Sequence, residues 1–107
     1  MLIAEVQMSD VTSHPAISEV SFTPVPPRDT LLGFGSLIYH GVRLADLGLH
    51  AARNGDGYSI AYPRKRLFNG SEISIIYPTS KQVAEAIRDA IVTKYLELTQ
   101  RSGREER

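Results

Sequence analysis

The sequence predicts an α+β fold, a small antiparallel β-sheet of about five strands followed by one C-terminal amphipathic helix. Short apolar or alternating stretches occupy residues 17–78, and hairpin-sized turn signals separate them. Helical spacing of apolar residues begins only after residue 79. Because strands precede a single helix and the connections are short, we expect the strands to pair antiparallel. With 107 residues, 42% hydrophobic and 22% charged, the composition is ordinary for one globular domain.

The first two predicted strands flank a proline-rich segment. Residues 17–23, ISEVSFT, predict a short strand, and Pro24, Pro26 and Pro27 exclude a central strand position after it, because proline lacks an N–H. The run LLGFGSLIYH, residues 31–40, is apolar in both alternating sets, which is typical of a strand covered on both faces. One helix covers one face of a small sheet. We therefore expect a homodimer, in which a second copy of the chain covers the second face or edge of this strand. The alternative is that the N-terminal extension folds over that face.

The third predicted strand is VRLADLGLH, residues 42–50. Strict alternation would place Ala45, Leu47 and Leu49 on one side of it. The NGDG stretch at residues 54–57 then predicts a turn, because Gly, Asn and Asp tolerate the backbone conformations that tight turns need.

The next stretch predicts a hairpin. YSIAYP, residues 58–63, predicts a strand, and SEISIIYP, residues 71–78, predicts a return strand with alternate apolar residues on one face. Between them stands Asn69-Gly70, the preferred pair for a two-residue type I′ turn.

The C-terminal helix has the clearest pattern. Thr79 and Gln82 fit a capping box, in which both side chains bond free N–H groups at the helix start. Apolar residues then recur at helical spacing, at Val83, Ile87, Ala90, Ile91, Tyr95 and Leu98. We expect the helix from about residue 80 to about residue 99. The predicted domain spans residues 17–100, with an N-terminal extension at 1–16 and a polar C-terminal tail at 101–107.

The composition and the missing motifs narrow the classes of function. The chain has no cysteine, which excludes disulfides and fits a reducing, cytoplasmic location. No apolar run approaches the roughly 20 residues that span a bilayer, so we expect no membrane partner. A phosphate loop and a nucleophile elbow are both missing. His40, Asp46 and His50 could form a metal site only if folding brought them together, and ordinary surface histidines are favoured. We therefore expect no enzyme activity, small-molecule substrate, cofactor or metal.

One basic cluster remains to be explained. Arg64, Lys65 and Arg66 are consecutive in a chain whose formal net charge is zero. Arginine presents a planar fork of donors that fits phosphate oxygens. We expect the neighbouring aromatics Tyr62 and Phe68 to be exposed, and exposed aromatic rings on a strand can stack on bases. The alternative is that these cations only protect a strand end from pairing with other chains. The candidate nucleic-acid-binding residues are Arg64, Lys65, Arg66, Tyr62 and, as a weaker contact, Arg53.

Two segments, LLGFGSLIYHGVRLADLGLHAARNGDGYSIAYPRKR and NGSEISIIYPTS, precede the terminal helix. In order and spacing they resemble the stage V sporulation protein G family (SpoVG, the septation regulators of bacteria) over about residues 17–98. An apolar–acidic–apolar core of the family matches the stretch around Asp46, and a strand ending in proline before a basic run matches Tyr62-Pro63. The chain departs from the family in having Tyr62-Pro63-Arg64 for Met-Pro-Ser and Tyr77-Pro78 for His-Pro.

The resemblance implies a small homodimeric regulator that binds DNA or RNA and influences septation and gene expression. On the matching positions it points to Arg64, Lys65 and Arg66 as the binding residues. We therefore expect a septation- or sporulation-type regulatory protein that binds nucleic acid through the basic cluster. The alternative, from a different class, is a non-catalytic protein-interaction module in cell-division control that binds no nucleic acid.

Overall fold

A computed structural model describes residues 15–105, which form six strands and one helix in an α+β arrangement. The four-stranded antiparallel sheet has the order β1 (Ile17–Arg28), β2 (Leu31–Tyr39), β3 (Val42–Ala51) and β4 (Tyr58–Ala61). A separate two-stranded hairpin, β5 (Arg64–Arg66) and β6 (Glu72–Ser74), precedes the helix α1 (Lys81–Glu105). The predicted fold class is confirmed. The predicted single sheet of about five strands is instead divided into sheets of four and two strands.

β1 continues through the prolines, beyond the predicted end of the first strand at residue 23. The strand lies at one edge of the sheet and pairs with β2. At an edge, the missing N–H of a proline can face away from the neighbouring strand, so no ladder bond is lost. The pairing register is irregular between Pro24 and Arg28. The prolines therefore keep β1 out of a central position, as expected, without ending it.

A β-bulge at Asp46 determines which side chains of β3 face the core. Asp46 has a φ of 58°, and β3 contains one residue more than β2 at this point. The extra residue shifts the alternation, so Leu44, Leu47 and Leu49 are buried while Ala45 is exposed. The prediction that Ala45 shares a side with Leu47 and Leu49 is wrong, because strict alternation does not hold across a bulge.

The hydrophobic core lies between one face of the four-stranded sheet and α1. Its buried side chains are Phe22, Leu37, Leu44, Leu47, Leu49, Ile87, Ala90 and Ile91. Gly35 permits the close approach of the helix, since a Cβ at residue 35 would lie 2.5 Å from Cδ1 of Ile91. Val83, Tyr95 and Leu98 pack at the margin of the same core. The predicted buried face of the helix is thus confirmed.

The first turn of α1 is capped by Ser80. Its Oγ accepts a hydrogen bond from the backbone N–H of Val83 at 3.1 Å, which is the geometry of an N-cap residue. The predicted capping box of Thr79 and Gln82 is therefore wrong by one position. Serine and threonine are both good N-caps, so the sequence offered two adjacent candidates.

The C-terminal helix extends beyond its predicted end at about residue 99. α1 continues to Glu105, so residues 101–105 of the predicted polar tail are helical, and the last two residues lie outside the described range. Of the predicted N-terminal extension, only Pro15 and Ala16 are described. Across residues 15–105, no helix has both the length and the apolar character needed to cross a membrane.

The second face of β2 is open in the described residues. Leu37 is fully buried on the face that α1 covers, whereas Phe34, on the opposite face, is 42% exposed. Ser36 shares that open face, and its Oγ lies 2.9 Å from Oγ of Ser21. The strand that was expected to be covered on both faces therefore has one covered face and one mixed, accessible face. The expected homodimer stays a prediction.

Candidate nucleic-acid interface

The candidate interface is the β5–β6 hairpin, which carries the basic cluster. Its directly opposed pairs are Arg64 with Ser74, Lys65 with Ile73, and Arg66 with Glu72. Opposed residues of an antiparallel pair share a face, and successive residues alternate between faces. Arg64 and Arg66 therefore lie on one face with Glu72. Lys65 lies on the opposite face with Ile73.

The turn of the hairpin is longer than the predicted two-residue type I′ turn. The N–H of Gly70 donates to the carbonyl of Leu67 at 3.0 Å, and the N–H of Leu67 donates to the carbonyl of Ser71 at 2.8 Å. Gly70 has a φ of 89°, whereas Asn69 does not enter the positive-φ region. This is a three-residue loop, a type I turn followed by a G1 bulge. The Asn-Gly pair predicted the place of the turn correctly and its type wrongly.

Glu72 partly neutralises the arginine face. Its Oε1 lies 3.8 Å from Nε of Arg64, and its Oε2 lies 3.6 Å from Nη2 of Arg66. The two arginine side chains are largely accessible to solvent and that of Glu72 is partly accessible, so these long ion pairs contribute little to stability and can be exchanged for phosphate. Among the side chains of residues 15–100, no acidic group pairs with Lys65. Three cations and one carboxylate give residues 62–78 a formal charge of +2.

Arg53 does not join the basic cluster. It lies on the turn before β4, whereas the cluster follows the other end of that strand. A four-residue strand is about 13 Å long, which already separates the two positions. Nη2 of Arg53 lies 2.9 Å from Oδ2 of Asp29 on the turn between β1 and β2. The structure therefore places Arg53 in an ion pair at the opposite end of the sheet.

Tyr62 is not an exposed aromatic, contrary to our expectation. Its side chain packs against the core and lines an apolar cleft of about 400 Å³ at the base of the hairpin. Its Oη is buried and has no hydrogen-bond partner among the described residues. Burial raises the pKa of the Tyr62 phenol above its usual value, because the phenolate would lose hydration. Stacking on a base would require the ring to leave this packing.

Phe68 is the aromatic side chain that the hairpin exposes. It lies at the tip, is fully accessible, and lines a shallow surface depression together with Lys65 and Arg66. An exposed ring beside cations is suited to stacking on an unpaired base while the cations hold phosphates. Its exposure was expected, although Phe68 was not among the candidate residues. Its position directly before the Asn-Gly pair was the signal that could have added it.

The three residues considered for a metal site do not form one. Among the side chains of residues 15–100, no group of three or more His, Asp or Glu is arranged to hold a metal ion. His50 instead lies on β3, with Nδ1 3.0 Å from Oγ1 of Thr30. Asp46 occupies the bulge of the same strand.

No protein-family model and no curated protein matches the chain. The likeness to the SpoVG family therefore rests on the order and spacing of short motifs in the sequence.

Proposed function

We propose that this protein is a cytoplasmic regulator of the SpoVG type that binds DNA or RNA through Arg64, Lys65 and Arg66. The observation that carries this proposal is the β5–β6 hairpin, which concentrates three exposed cations in a chain of zero net charge. The hairpin is separate from the four-stranded sheet and its cations are exposed, so a polyanion can reach them without displacing the core. The regulator acts as a homodimer and needs neither a catalytic residue nor a cofactor.

The mode of binding follows from the type of side chain. Arg64 and Arg66 exchange their long ion pairs with Glu72 for hydrogen bonds to phosphate oxygens, which their planar guanidinium groups can donate in pairs. Lys65 adds a point charge from the other face of the hairpin. Contacts to phosphate give affinity with little sequence preference. Phe68 adds a stacking contact that only unpaired bases can use, so single strands are expected to bind as well as duplexes.

A second candidate function is a protein-interaction module in cell-division control that binds no nucleic acid. The observation that favours it is the exposure of Ile73, Ile75 and Tyr77 beside the basic cluster. Exposed apolar side chains close together are typical of protein-binding surfaces. In this alternative the cations only keep the hairpin soluble and unpaired.

The test is equilibrium binding to random-sequence duplex DNA and to single-stranded RNA. The triple variant Arg64→Ala, Lys65→Ala, Arg66→Ala should lose most of its affinity for both. Its matched control is Lys81→Ala, Arg88→Ala, Lys94→Ala on α1, which changes the net charge equally and should retain binding. Thermal unfolding of both variants should stay near that of the parent, because solvent-accessible cations and their ion pairs contribute little to folding. If the parent binds neither nucleic acid, or both variants bind alike, the protein-interaction module becomes the better description.

A further inference from the structure

β4 forms one edge of the four-stranded sheet and, in the described part of the chain, pairs only with β3. Two backbone hydrogen bonds show which residues of β4 face outward. The N–H of Ala52 donates to the carbonyl of Gly57 at 3.0 Å, whereas the N–H of Ala51 turns the other way and donates to the carbonyl of Thr30 at 2.9 Å. Tyr58, which lies opposite Ala51, is therefore in a pair that exchanges no hydrogen bonds with β3.

The backbone groups on the outer edge of β4 follow from this pair. Pairs with and without mutual hydrogen bonds alternate along an antiparallel ladder. Ser59 and Ala61 consequently bond to β3, whereas the N–H and C=O groups of Tyr58 and Ile60 point away from it. Among the described residues, these outward groups have no hydrogen-bond partner. The outer edge thus presents two donors and two acceptors at the two-residue spacing of an extended chain.

The two edges of the sheet differ in their protection against a further strand. β1 includes Pro24 and Pro26, which have no N–H to donate, and proline at an edge discourages pairing with another chain. β4, with the sequence YSIA, contains neither a proline nor a charged residue. The sheet is therefore extended more readily at β4 than at β1.

A cleft of about 470 Å³ lies beside β4 and reaches α1. Arg88, Asp89 and Val92 line it from the helix, and Asp56 lines it from the turn before β4. Nη2 of Arg88 lies 3.1 Å from Oδ1 of Asp89, so this cation already has a partner. Among the side chains of residues 15–100, no cation pairs with Asp56. One cation and two carboxylates give the cleft a formal charge of −1, which favours a basic ligand.

We propose that an extended peptide segment of another protein, carrying a basic residue, adds to the outer edge of β4 as a further strand. Its main chain exchanges hydrogen bonds with Tyr58 and Ile60. Its basic side chain enters the cleft and pairs with Asp56. An apolar side chain two positions away shares the same face of the added strand and packs against Val92. In such strand addition, main-chain bonds supply affinity and side-chain pockets supply selectivity.

Hydrogen bonding and charge together favour a basic peptide over other occupants. A nucleic acid has no main chain of alternating N–H and C=O groups, and its phosphates would meet the carboxylates of the cleft. A second copy of this chain would bring a cleft of the same negative charge to the edge. The site does not include the β5–β6 hairpin, so the inference holds whether or not the basic cluster binds nucleic acid.

Hydrogen exchange followed by NMR tests the edge before any peptide is added. In the free protein the amides of Ser59 and Ala61 should exchange slowly, because they bond to β3, and those of Tyr58 and Ile60 should exchange much faster. Protection of the two outward amides at every protein concentration would mean that another part of this chain covers the edge. Protection that disappears on dilution would mean that a second copy covers it. Either result would overturn the proposal.

A displayed library of random octapeptides tests the ligand. The library is selected on the parent and counter-selected on Ile60→Pro, which removes an outward N–H without breaking a ladder bond to β3. Enriched peptides should contain alternating apolar residues and at least one Lys or Arg. A synthetic copy of one should slow exchange at Tyr58 and Ile60, and Ile60→Pro should weaken its binding roughly tenfold.

A charge reversal on α1 tests the cleft without altering β4. Asp89→Lys should weaken binding of the synthetic peptide about two- to fivefold. The matched control is Glu97→Lys, which makes the same change of charge and also removes an ion pair within α1, and it should bind like the parent. The proposal is overturned if no peptide is enriched, or if bound peptide leaves the exchange of Tyr58 and Ile60 unchanged. Equal binding by the parent, Asp89→Lys and Glu97→Lys would also overturn it, even if Ile60→Pro fails to fold.

Discussion

Replacing Gly35 with alanine should push α1 away from the sheet. A Cβ at residue 35 would lie 2.5 Å from Cδ1 and 3.0 Å from Cγ2 of Ile91, well inside the roughly 3.5–4.0 Å of a favourable carbon–carbon contact. Ile91 is fully buried, so its side chain cannot move aside without disturbing its neighbours. We expect Gly35→Ala to lower the free energy of unfolding by about 1–3 kcal/mol, the usual cost of an overfilled core.

Ile91→Val is the compensating change, because it removes Cδ1, the atom nearest to the new methyl group. On its own, Ile91→Val should cost about 0.5–1.5 kcal/mol. In the presence of Gly35→Ala it should cost less, or restore part of the lost stability. Urea unfolding of the four proteins of this double-mutant cycle should therefore give a favourable coupling energy of about 0.5–3 kcal/mol.

Gly48→Ala is the matched control on the neighbouring strand β3. A Cβ there would meet its nearest atoms, in His50 and Ala61, at 3.6 and 3.7 Å, which are ordinary contacts. Stability should be unchanged or slightly higher, because alanine reduces the conformational freedom of the unfolded chain. If Gly35→Ala unfolds at the same urea concentration as the parent, or if both alanines cost the same, then α1 does not press on β2 as described.

Three further predictions test other parts of the structure. Ile87→Ala should lower the free energy of unfolding in urea by about 2–5 kcal/mol, because Ile87 is buried. Leu96→Ala, on the exposed side of α1, should lower it much less. Equal losses would mean that the helix presents a different face to the sheet. Tyr62→Phe should be at least as stable as the parent at neutral pH, because the lost hydroxyl has no partner among the described residues. Burial raises the pKa of Tyr62, so as the pH rises above about 10 the phenol ionises in the unfolded parent before it ionises in the folded parent. Thermal unfolding should therefore show that the parent loses stability above this pH and that Tyr62→Phe does not. Parallel pH profiles for the two proteins would contradict this. Glu72→Gln should tighten nucleic-acid binding, because it removes the carboxylate that competes with phosphate for the two arginines; unchanged affinity in a filter-binding titration would show that they are not engaged.

Hydrophobic periodicity predicted the elements whose backbone is regular. The buried face of α1 followed from apolar residues at helical spacing, and the order of the strands followed from the turn signals. The alternation failed at Asp46, because a bulge changes which side chains face the core and depends on one residue in a left-handed conformation. Ala45 could not reveal this, since alanine is compatible with either side. The cap at Ser80 was missed because the preceding threonine is chemically equivalent.

The candidate site was predictable where it depends on local geometry. The opposed pairs of the hairpin place Arg64 and Arg66 on one face, as alternation along any regular strand requires. The surroundings of Tyr62 and Arg53 depend on tertiary packing instead. The aromatic ring is held against the core, and the arginine pairs with Asp29, which lies far away in the sequence. Neither contact could be derived from spacing along the chain.

The claim that Arg64, Lys65 and Arg66 bind phosphate is tested most directly by the salt dependence of binding to random-sequence duplex DNA. For the parent, log affinity plotted against log salt should fall with a slope of about −2.7, since each neutralised phosphate contributes about −0.9. The triple alanine variant should bind weakly with a slope near zero, and the loss should be similar for every DNA sequence. A triple variant that binds as tightly as the parent, with the same slope, would contradict the claim.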